Sequence, residues 1–187
     1  MTLKSILAGF THRFRRQEQG SIAIEAVIIL PMVFWTFLAL YATFHAYRTY
    51  VVNQKVAYTI GDMISRETNP LDAAYMAGAR ELMAHLINTS DANVSLRVTS
   101  VKFDGDSQTY ERHWSQSEGF VSPASAQTVE NWDTNLPVLP DDEYIVVVET
   151  FQNYTPPFDT GLAQREVRNF VFTKPRYAPR TLWDNGS

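Results

Sequence analysis

One carboxylate, Glu25, stands just inside the start of a long apolar run, in the stretch Gly20-Ser21-Ile22-Ala23-Ile24-Glu25. An ionised carboxylate deep in hydrocarbon costs on the order of 2.5 to 3.5 kcal/mol, so it needs either water or a partner charge. Water is within reach if Glu25 sits at headgroup level and extends outward. A partner charge arises if the chain is cut after Gly20, because Ser21 then carries a free α-amino group and Glu25 becomes the fifth residue of the mature chain. The chemistry read here is cleavage of a peptide bond by another protein, followed by pairing of an ammonium with a carboxylate.

Catalysis by the chain's own side chains finds little support. His12, His45, His85 and His113 fall in four separate segments, without the i, i+4 spacing that would set two of them on one helical face for a metal. Cysteine is absent, which removes disulfides, thiolate metal sites and cysteine nucleophiles. Asp104-Gly105-Asp106 lacks the ligand pattern of a calcium loop, and Asp141-Asp142-Glu143 reads as a solvated acidic loop. No glycine-rich phosphate loop or nucleophile elbow occurs. The expectation is therefore a non-enzyme with no cofactor, no metal and no small-molecule substrate.

The element that must carry Glu25 is a membrane helix. No charged side chain occurs from Ala26 to Phe44, and as a helix this run reaches about 28 Å, close to the ~30 Å hydrocarbon core of a bilayer. Lys4, Arg13, Arg15 and Arg16 precede it against a single acid, Glu18. That positive bias predicts a cytoplasmic N-terminus and an exported remainder. Pro31 removes one backbone donor and crowds the carbonyl of Val27, which membrane helices tolerate as an ordinary kink.

The basic leader, the Gly20–Ser21 junction, Glu25 five residues into the mature chain, and Ala26-Val27-Ile28-Ile29-Leu30-Pro31 together resemble the class III processing signal of type IV pilins. The closer similarity is to the TadE/TadF-like pseudopilins, minor components of the tight-adherence (Tad, or Flp) pilus system. It covers roughly Arg13 to Tyr47, and the family's recurrent Gly, Glu and Pro correspond to Gly20, Glu25 and Pro31. The resemblance implies cleavage between Gly20 and Ser21 by a prepilin peptidase, a role for Glu25 in assembly, and partners among other Tad pilins and the pilus assembly machinery. It also implies residence in the bacterial inner membrane, with the outer domain periplasmic, and a part in surface adherence after incorporation into a pilus. Ser21 differs from the aromatic residue or Met that begins many mature pilins. An unprocessed single-pass protein whose outer domain binds a ligand or envelope partner fits the same topology.

Composition bounds the rest. The net charge is −4 overall, and the part after Gly20 carries 12 basic against 19 acidic side chains, or −7. An acidic exported portion argues against nucleic-acid binding. The layout expected is a basic cytoplasmic leader over 1–20, a transmembrane helix over 21–48, one α+β pilin-like domain over 49–174, and an extended tail over 175–187.

Within the outer domain, Val52, Val56, Thr59, Ile60, Met63 and Ile64 recur at helical spacing opposite Asn53, Gln54, Lys55 and Asp62. The membrane helix therefore continues outward until Thr68-Asn69-Pro70 stops it. A second helix is predicted with Asn69 as N-cap, Pro70 first, and a buried stripe of Leu71, Tyr75, Gly78 or Ala79, Leu82 and Leu86. The period then becomes two. Val94, Leu96 and Val98 give way to Val101 and Phe103 out of phase, predicting a bulge near Thr99-Ser100. Asp104-Gly105 signals a hairpin whose return strand carries Tyr110, Arg112 and Trp114, Ile145-Val146-Val147-Val148 reads as a central strand running to about Phe151, and a last strand is expected from Val167 to Thr173. The long segment from Gln116 to Asp142 is expected to hide a short helix around Ala124 to Trp132. The sum is α+β, with helices covering a mostly antiparallel sheet.

Overall fold

The computed structural model describes residues 18–185. Residues 1–17, which hold the basic side chains of the expected leader, lie outside the described residues. Helix α1 runs unbroken from Glu18 to Arg66 and contains Pro31, so the apolar run and the amphipathic stretch are one helix. Its last turn is closed by the Arg66–Asp62 pair at 2.8 Å, with the arginine also favourably placed at the negative end of the helix dipole.

Helix α2 spans Ala73–Ile87, later than the proline signal predicts. Its N-cap is Asp72, whose carboxylate accepts from the Tyr75 backbone N–H at 2.7 Å, and not Asn69. The delay has a tertiary cause. Leu71 pairs as a strand with the C-terminal tail, its N–H donating to the Leu182 carbonyl at 2.9 Å while its own carbonyl accepts from Asp184 at 2.8 Å. The buried face of α2 is accordingly Met76, Ala79, Met83 and Ala84, and Leu86 stands exposed.

After a short turn at Asp91–Asn93, four strands follow: β1 Val94–Asp104, β2 Thr109–Glu118, β3 Tyr144–Tyr154 and β4 Arg165–Thr173. They form one antiparallel sheet in the order β2-β1-β3-β4. The hairpin between β1 and β2 uses a longer turn than Asp104-Gly105 alone implies, with Gln108 in the left-handed region at φ 57°. Gly105 serves close approach instead, since a Cβ there would stand 2.9 Å from that of Asp141.

The phase change in β1 is real, and its cause differs from the one predicted. The β1–β2 register shifts between Ser100 and Val101, where Ser100 faces Trp114 and Val101 faces Arg112, so the extra residue is His113 on β2. Against β3, β1 keeps an unbroken register from Val94 to Lys102. Its apolar residues change faces because both faces are covered. On one face Val94, Leu96, Val98, Val146 and Val148 pack with Val56, Ile60 and Ile64 of α1 and with α2. On the other, Val101, Phe103, Ile145 and Val147 pack with Val129, Trp132 and Leu136 of the long connection, which contains helix α3, Ala126–Glu130.

That connection is tied to the sheet by polar side chains. Ser95 Oγ accepts from the Val121 N–H at 3.0 Å, Ser115 Oγ from the Ala124 N–H at 2.8 Å, and Arg112 donates to the Ala124 carbonyl at 2.9 Å. The tail is likewise docked. Trp183 lies against Trp114 at 5.7 Å, and the Trp114 indole N–H donates to the Thr181 carbonyl at 2.8 Å. The chain divides into two compact units, one of α1 through His45 with residues 157–162, the other of Ala46–Pro156 with the chain from Ala163 onward.

Candidate functional site

The N-terminal half of α1 brings the sequence-predicted residues onto one helix. Gly20 and Ser21 lie in the first described turns of this helix. Glu25 follows one turn after Ser21 and is exposed.

Beyond Glu25 the helix is apolar on every side. Val27, Ile28, Leu30, Met32, Phe34 and Phe37 are each more than half exposed, with Val27 at 73%. A helix covering a soluble core shows one apolar stripe and a polar opposite face. Here the consecutive positions leave no polar face, and α1 is long and apolar enough to cross a membrane. The hydroxyls in the run are satisfied within the helix, Thr36 donating to the Met32 carbonyl at 2.8 Å and Thr43 to that of Ala39 at 2.9 Å. Such back-bonding lets a hydroxyl sit in hydrocarbon without an orphaned donor.

Toward the far end of the run the surroundings change. Tyr41 stacks on His45 at 6.3 Å and meets the edge of Phe158, from the segment joining β3 to β4, at 5.7 Å. Ala42 is fully buried, and Leu38, Ala39 and His45 on the same side are half-buried.

In the sheet unit, two polar constructions escape a reading based on hydrophobic period. Asn53, placed by its period on the polar face of α1, is fully buried; its amide donates to Gln152 Oε1 at 2.5 Å and to the Thr49 carbonyl at 2.8 Å. Glu149, in the apolar heart of β3, is also fully buried. It receives Arg97 Nε and Arg168 Nη2, each at 2.5 Å, and both guanidiniums lie over the Phe151 ring at 5.3 and 5.5 Å. A lone acid in an otherwise apolar strand was the available signal for the second. The Glu149 cluster is balanced by its two arginines, whereas Asn53 Oδ1 is buried without a hydrogen-bond partner; both are structural in kind.

The acidic loop is used as a fastening. Asp141 accepts from the Gly105 N–H at 2.8 Å, Asp142 pairs with Lys102, and Glu143 pairs with Lys174. His113 lies edge-on to Tyr144 at 5.4 Å; partial burial and the Arg180 guanidinium hold its imidazole below the usual range. Among the described residues no three His, Asp or Glu side chains gather as a metal site. Compared with known proteins, the chain matches no family model, no curated protein and no solved structure.

Proposed function

We propose that this chain is a TadE/TadF-like minor pilin, held in the bacterial inner membrane by α1 with its N-terminus cytoplasmic and its α+β domain periplasmic. A prepilin peptidase cuts between Gly20 and Ser21, and the product is incorporated into, or initiates, a Tad-type pilus used in surface adherence. It has no catalytic role of its own. The observation that carries this reading is the exposed, all-round apolar surface of α1 that begins at one carboxylate, five residues past a small residue at the polar border. A subunit that moves from bilayer to filament needs an apolar helix that packs equally against lipid and against other helices. It also needs a polar mark that fixes register, and the Glu25 carboxylate pairing with the α-ammonium of a neighbour supplies one, since each charge alone is costly in an apolar core.

The deciding experiment is mass spectrometry of the protein extracted from membranes of a host carrying the Tad machinery. Ser21 as the N-terminus is the expected result, with Gly20→Trp blocking the cut because a bulky side chain prevents close approach of the backbone. An intact precursor in the wild type, or Ser21 still produced by Gly20→Trp, removes the processing step.

A further inference from the structure

We propose that residues 157–162, between β3 and β4, form a second membrane contact that enters the lipid interface on the exported side beside α1. The inference rests on α1 spanning the bilayer. The segment packs with α1 as one compact unit, and Phe158 sets its ring edge-on to Tyr41 at 5.7 Å. That contact fixes its depth. No charged side chain occurs between Glu25 and Arg48, and Tyr41, about 22 Å along the helix from Ala26, lies several ångströms inside the far edge of a ~30 Å hydrocarbon core. This is the boundary between acyl chains and headgroups, where aromatic rings concentrate.

Phe158 is 43% exposed and Leu162 37% exposed, so the loop offers two large apolar side chains at that level. Its chemistry suits partial withdrawal from water. Asp159 is its one charge, and Pro157 removes a backbone donor that would otherwise need a partner. The Thr160 N–H is taken up inside the turn by the Phe158 carbonyl at 3.0 Å. Apolar groups presented this way bury about 5–10 Å into the headgroup and acyl boundary. The occupant is the lipid surface itself, continuous with the lipid around α1.

The chain contains no cysteine, so single substitutions Phe158→Cys, Leu162→Cys, Val33→Cys and Asp91→Cys each give a unique spin-label site in the full chain. The labelled proteins are reconstituted in vesicles of phosphatidylcholine and phosphatidylglycerol, and collisions with oxygen, which favours lipid, are compared with collisions with a water-soluble nickel chelate. The expected result is an oxygen-to-nickel ratio at 158 and 162 several-fold above that at 91 and on the side of that at 33. Nickel-dominated collisions at 158 and 162, with 33 in lipid, overturn this proposal and leave the anchor standing. Low collision rates with both reagents mean that protein covers the loop, and these also overturn it. A nickel-dominated label at 33 overturns the membrane anchor and this inference with it.

Discussion

Asn53 of α1 and Gln152 of β3 share a 2.5 Å hydrogen bond in a region from which water is excluded. The pair ties the helix to the sheet at one register, since sliding α1 by a residue would strand two buried amides. Asn53→Leu should therefore lower stability by about 1–3 kcal/mol by orphaning Gln152. Adding Gln152→Leu should recover most of that loss. Thermal unfolding of the full chain in detergent, run as a double-mutant cycle, checks both; a double variant no better than the single would show that the pair contributes little.

Glu149 and its two arginines differ in what each can be spared. Glu149→Ala leaves Arg97, only 11% exposed, without its counter-charge, and is expected to cost about 3–5 kcal/mol. Arg168 is 48% exposed, so Arg168→Ala should cost about 1 kcal/mol or less. Urea midpoints for the two variants give the ranking directly.

Gly119 and Gly78 make opposite predictions for the same substitution. At Gly119 φ is +108°, and an added Cβ would lie 2.6 Å from Ser95 Oγ and 2.8 Å from the Val94 carbonyl oxygen, so Gly119→Ala should destabilise by about 1–3 kcal/mol. Gly78 sits inside α2 with nothing near its missing Cβ, so Gly78→Ala should stabilise by about 0.5–1 kcal/mol. Two melting curves suffice.

His113 makes stability depend on mild acid. Its folded-state affinity for a proton lies below the ordinary value of 6.5, through partial burial and the nearby Arg180 guanidinium. The unfolded chain therefore takes up the proton first as pH falls, and the His113 contribution is complete above about pH 6.5 and declines below it. A denaturation series from pH 7.5 to about pH 5.5 should show a loss that His113→Gln flattens. An equal slope in the variant would assign the loss elsewhere.

Glu25 is expected to matter for assembly more than for cleavage. Glu25→Gln should insert, be cut after Gly20, and yet be poorly incorporated into pili or unable to support them, because the ammonium of the neighbour loses its counter-charge. A carboxylate that merely reached headgroup water would predict normal piliation. Sheared surface pili compared with the processed membrane pool distinguish the two outcomes.

Local pattern carries the elements whose surroundings are uniform. The all-apolar stretch from Ala26, the alternation at Val94, Leu96 and Val98, and the doubly apolar Ile145–Val148 each state their setting outright, and α1, β1 and β3 follow. Pattern fails where a distant partner decides. Asn53 reads as solvent-facing because period sorts residues by polarity, and its partner lies on β3. Asn69 and Asp72 both suit a cap, and the choice falls to Asp72 because the tail beside Leu182 holds Leu71 extended. The bulge at His113 was displaced onto β1 because alternating phase reports only which face is apolar, and here both are. Gly20, Ser21 and Glu25 share one helix, as their spacing in sequence leads one to expect. The pairing of Phe158 with Tyr41 was not, since it joins segments far apart in the chain.

The sheet ends on β2 and β4, and both rims bear charge: Glu111 and Arg112 on one, Arg165, Glu166 and Arg168 on the other. Proteins confined to a membrane plane meet one another at high local concentration and in a shared orientation, conditions that favour strand-to-strand zippering between copies. Charged side chains, with the irregularity at His113 in the β2 backbone, oppose such pairing. Crowding alone should not fuse these sheets.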